Sequence, residues 1–154
     1  MWLDQLAKVT GICSALAIVI GAIYASIELR NNTRAVRAAA FQQVINSFAQ
    51  ISFEIANNRD LVELFLRGAK DFKSLNEVDR AQFSFMLLSF LRRAENVLFQ
   101  SSSHVLSNEH WPGIRNSVAA ILTPHGSRDC WVEIKDRFNP EFQGFVDSLL
   151  SART

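Results

Sequence analysis

From Val9 to Ile27 the chain runs Val-Thr-Gly-Ile-Cys-Ser-Ala-Leu-Ala-Ile-Val-Ile-Gly-Ala-Ile-Tyr-Ala-Ser-Ile, 19 positions without a charge. A helix of that length rises about 28 Å, close to the hydrocarbon thickness of a bilayer. The run therefore predicts one transmembrane helix, with Trp2 and Tyr24 placed as interfacial anchors. A cleaved signal peptide usually has a basic leader and a shorter apolar run, whereas here Asp4 lies in the leader and the helical pattern continues past Ile27. A lipoprotein signal places its Cys after the apolar run, and Cys13 stands near the start. A buried helix of a globular domain is the remaining reading.

The flanks set an orientation. Asp4 and Lys8 precede the run, while Arg30, Arg34 and Arg37 follow it. The bias of Lys and Arg toward cytoplasmic flanks predicts an N-terminus outside and all later residues in the cytoplasm. Asn31-Asn32-Thr33 is then a chance match to a glycosylation sequon. The three arginines serve topology and anionic headgroups on the plain reading. On the sharper one they line the mouth of an oligomeric pore. Within the run, Ala17, Gly21 and Ala25 recur every fourth residue, a stripe that lets another helix approach closely. Small residues are also common in any membrane helix.

Beyond the run, neither Gly nor Pro interrupts the chain from Ala22 to Arg67, and the segment after Arg34 is strongly helix-forming. The first helix is expected to continue out of the membrane. Phe41, Val44, Phe48, Ile51 and Ile55 follow at alternating spacings of three and four, an a/d seam. Asn57-Asn58-Arg59-Asp60 marks its end, and a short helix is expected from Leu61 to Gly68. Ser74-Leu-Asn-Glu77 reads as a capping box opening a helix from Asn76 to Gln100. In its middle, Phe83 to Leu91 is apolar almost all round, as in the central helix of a bundle or one that also meets a second subunit. Ser107 is expected to cap a helix through Leu122, and Ser127 another over Arg128 to Arg137. Asn139-Pro140 should open a last helix bearing Phe142, Phe145, Val146, Leu149 and Leu150. The predicted fold class is all-α: an anchor over residues 1–29 and a cytoplasmic helical bundle over 30–154. Twelve Phe against a single Tyr fit dry packing in a core, a subunit interface or lipid.

Signals for chemistry are sparse. Lys plus Arg number 16 and Asp plus Glu 15, a balance that gives no field for nucleic acid. Two cysteines, Cys13 and Cys130, make no disulfide framework and fit a reducing compartment. His104, His110 and His125 have no metal-ligand spacing, so neither metal nor cofactor is expected. Glu109-His110 reads as first-turn capping. No nucleophile elbow, phosphate loop or dinucleotide fingerprint occurs. Cys130 near a predicted helix start has a route to a lowered pKa, but beside Trp131 it reads as a small core residue. Arg92-Arg93-x-Glu95-Asn96 lacks the nearby His of helical ribonucleases, and Arg92 with Glu95 or Asn96 reads as pairing along a helix.

Arg30, Asn32, Thr33, Ala35, Arg37 and Ala38 form the pattern Arg-x-Asn-Thr-x-Ala-x-Arg-Ala behind the apolar helix, with Leu64-Phe-Leu-Arg-Gly68 and Phe138-Asn-Pro-Glu-Phe142 downstream. In these features the chain resembles a widespread group of small bacterial single-span membrane proteins. The resemblance implies a bacterial inner-membrane setting and carries no particular reaction with it. The expectation is a non-enzymatic membrane-anchored interaction protein, either self-assembling or an accessory subunit of a larger membrane complex, with lipid and a homo-oligomeric or membrane-protein partner. A homo-oligomeric pore or membrane-perturbing effector is the alternative, and a membrane-tethered enzyme the third.

Overall fold

The computed structural model describes residues 1–102 and 111–152, apart from the side chains of residues 3–10, 12, 13, 15 and 111. Among these the chain is all-α, with no strand. Helix α1 runs Trp2–Ala56, α2 Arg59–Lys70, α3 Glu77–Ser102, α4 Trp111–Leu122, α5 His125–Ile134 and α6 Pro140–Ser151. Short 3₁₀ turns occupy Phe72–Ser74 and Lys135–Arg137. The chain divides into two units, Met1–Ala39 and Ala40–Thr154. The expected cap Ser107 and the residues His104, Glu109 and His110 lie outside the described residues, as do the side chains of Asp4, Lys8 and Cys13.

In the first unit every described side chain from Leu16 to Ala39 is exposed. Among the described residues no helix is long and apolar enough to cross a membrane. The uncharged run Val9–Ile27 extends over residues 9, 10, 12, 13 and 15, whose side chains are not described.

The second unit is built around α3. Phe83, Leu87, Leu91 and Ala94 repeat at helical spacing and are buried. Behind them pack Phe72, Val118, Leu122, Cys130, Trp131, Phe142 and Val146. Among the described residues Trp131 is the largest fully buried side chain. It lies 5.4 Å from the Phe138 ring and donates its indole N–H to Asp147 Oδ1 at 3.0 Å. The apolar middle of α3 thus has unequal faces: the core row, a half-buried row including Leu88 and Phe90, and an outer position, Phe85, left 62% exposed. The seam of α1 faces this helix. Val44 packs with Val97, and Phe48 meets Phe90 edge to face at 5.2 Å.

Local signals explain most helix ends, and several correct the sequence reading. Helix α3 is capped by Asn76, whose Oδ1 accepts the Asp79 N–H at 2.9 Å. Ser74, expected to form a capping box, instead closes the preceding 3₁₀ turn through Asp71. Ser127 is not a cap either. Helix α5 starts at His125 behind Pro124, so Ser127 is already helical, and its hydroxyl is buried. The expected helix through Arg137 ends at Ile134, where a 3₁₀ turn takes over. Helix α2 is longer than expected at both ends, because Asn58 Oδ1 accepts the N–H groups of Asp60 and Leu61 and so moves the start to Arg59. Asn139 caps α6 by accepting the Phe142 N–H at 2.8 Å, with Pro140 at the first helical position.

Candidate functional site

Two surfaces stand out, one in each unit. On the first, Leu16, Ile18, Val19, Ile20, Ile23, Ile27 and Leu29 are each more than half exposed. Fully burying a residue of this kind is worth about 1.5–3 kcal/mol, so leaving the set in water costs of order 10 kcal/mol. Ser26 donates its hydroxyl to Ala22 O and Thr33 to Leu29 O, each at 2.8 Å, so neither needs an external acceptor. Arg30, Arg34 and Arg37 follow, all exposed. Ala17, Gly21 and Ala25 are exposed too, and a Cβ added at Gly21 would meet nothing within 4 Å.

The second surface is a cleft of about 900 Å³ in the second unit, between Gln43, Val44 and Ser47 of α1 and Leu88 to Gln100 of α3. One end is closed by a clamp. Arg92 pairs with Glu95 a turn on, donates to Arg137 O at 2.7 Å and stacks its guanidinium 4.6 Å above the Phe138 ring. Glu95, only 8% exposed, spends its other oxygen on the Asn139 N–H at 2.8 Å. The pairing read from spacing is present, and it also ties α3 to the turn before α6. Sequence reasoning missed those two backbone partners, because their separations along the chain leave no periodic trace.

Arg93 is arranged differently. Its Nη1 donates to Ser89 O at 2.9 Å, whereas Nε is buried without an acceptor. Gln100 Oε1, in the same cleft, is buried without a donor. A buried polar atom left unmatched costs about 1–3 kcal/mol, and both of these belong to residues that line the cleft. No sequence motif announced Arg93, Gln100 and Ser47 as one site.

The remaining candidates are accounted for within the fold. Cys130 is fully buried, and burial pushes its thiol up from 9.0 to about 11, the opposite of activation. It sits well inside α5, away from the first turn, and lies 3.5 Å from Ser84 Oγ. His125 is exposed, with Nδ1 3.4 Å from Asp129. Among the described residues no group of three His, Cys, Asp or Glu is placed to hold a metal. The chain matches no known protein family, no curated protein and no solved structure.

Proposed function

We propose that this protein is a non-enzymatic, membrane-anchored interaction protein of a bacterial inner membrane. Its first helix crosses the bilayer from an outer N-terminus, and the helical unit from Ala40 onward lies in the cytoplasm. The observation that carries the reading is the set of bare apolar side chains from Leu16 to Leu29, bounded by Arg30, Arg34 and Arg37. Lipid covers such a surface, and the arginines complete the pattern of a cytoplasmic flank.

Self-assembly is the mode of action we favour. Within a bilayer, helices associate through close packing, since lipid is as apolar as the helix itself. Ala17, Gly21 and Ala25 offer the low surface such packing needs, and among the described residues nothing lies within 4 Å of a Cβ at Gly21. Cross-linking through Cys introduced at Ala17, Gly21 and Ala25 in native membranes tests this, in a Cys13→Ser background. Oligomer ladders from these positions are the expected result. Monomers alone would exclude self-assembly and leave an accessory subunit as the better account.

A further inference from the structure

We propose that the cleft between α1 and α3 binds a small organic monocarboxylate, with its carboxylate on Arg93. With Nη1 engaged by Ser89 O, the guanidinium keeps Nε and Nη2, the edge whose two parallel donors match the two oxygens of a carboxylate. Among the described residues neither nitrogen has an acceptor. The clamp next to it explains why no acid of the chain competes. Glu95 is held by Arg92 and the Asn139 N–H, and Arg92 in turn by Glu95, Arg137 O and the Phe138 ring.

Charge selects the class of ligand. Arg92 and Arg93 against Glu95 leave the lining at +1, from two positive groups less one negative. The other polar lining groups are neutral amides and hydroxyls. One charge is therefore matched by a carboxylate, whereas a doubly charged phosphate would leave a charge unmatched in a half-buried site. At the other end, Gln100 Oε1 calls for a donor. It stands seven residues from Arg93, about 10 Å along a helix. Between them Val44, which packs with Val97, and Phe99 supply an apolar wall. The fitting ligand thus carries a carboxylate at one end, a short aliphatic body, and a hydroxyl or amine at the other. Both unmatched atoms are buried, so binding includes a side-chain adjustment in the wall, as is common at interfaces whose backbone stays fixed.

The test uses the full chain in detergent, with 6-hydroxyhexanoate as probe and thermal stability as readout. Expected is a saturable rise in Tm with 6-hydroxyhexanoate and none with 6-hydroxyhexanamide, which keeps the shape and loses the charge. Arg93→Gln should weaken the response at least tenfold. Arg115→Gln, at an exposed position on α4 outside the cleft, should retain it. Equal stabilisation by the amide, an unchanged response in Arg93→Gln, or tighter binding of inorganic phosphate would overturn the proposal. So would the lack of any saturable effect on the unmodified chain. The comparison of acid with amide is made on that chain, so it decides even if Arg93→Gln fails to fold. None of these outcomes bears on membrane anchoring.

Discussion

A methyl group at Gly126 would lie 2.0 Å from Gly68 O and 2.7 Å from Phe72 N, both backbone atoms that cannot swing aside. At Gly68 it would strike the Phe83 ring at 2.4 Å, and that ring is fully buried. Gly126→Ala and Gly68→Ala should each lose stability at or above the upper end of the about 1–3 kcal/mol usual for overpacking. Gly144→Ala meets nothing within 4 Å inside α6 and should gain about 0.5–1 kcal/mol from the lower entropy of the unfolded chain. Denaturant titration of the three variants checks both directions. Cys130 makes a pH prediction. Its thiol ionises near 9.0 when unfolded and near 11 when folded, so the folded chain holds the proton more tightly. This contribution is full below about pH 9 and is lost as pH rises through 11, a swing of about 2–3 kcal/mol. Subtracting the pH profile of Cys130→Ala from that of the unmodified chain isolates it. A flat difference between pH 8 and 11 would contradict the assignment.

At the scale of helices, the caps give the sharpest contrast. Asn76→Ala should cost about 1 kcal/mol of stability, the usual value of an N-cap. Ser74→Ala should cost less, since Ser74 holds only the turn before α3. Urea titration of the two distinguishes this from a capping box, in which Ser74 would matter more. The same places show what was legible in the sequence. Asn139-Pro140 predicted the start of α6 because a cap and its first turn are local, with every partner within three residues. The row Phe41, Val44, Phe48 was legible from period alone, whereas the middle of α3 is apolar almost all round in sequence, so period did not mark Phe83, Leu87 and Leu91 as its core row. Ser127 misled because Pro124, two positions before Gly126, already starts the helix, and the close approach of Gly126 to Gly68 fixes α5 there. The cleft was not legible. Arg93 and Gln100 share a face of α3, but only the packing of Val44 and Phe48 on that helix brings Gln43 and Ser47 opposite them.

For the whole molecule, the central claim is that the first helix crosses a bilayer and the helical unit lies on its cytoplasmic side. Exposed apolar side chains from Leu16 to Leu29 support the crossing, and Arg30, Arg34 and Arg37 support the sidedness. Assembly is a separate consequence. Gly21→Leu should leave insertion intact and reduce cross-linked oligomers, since a Cβ there meets nothing within 4 Å among the described residues and the longer side chain fills the low surface offered to a neighbour. A Gly21→Leu variant that cross-links as before would move the contact to another face. The most direct measurement of the central claim is a pair of reporter fusions after Thr154, green fluorescent protein and alkaline phosphatase, each read in the membrane fraction of a bacterial host. The account predicts a fluorescent, membrane-bound first fusion and an inactive second one. An active phosphatase, or a fluorescent fusion that leaves the membrane fraction on washing, would contradict it.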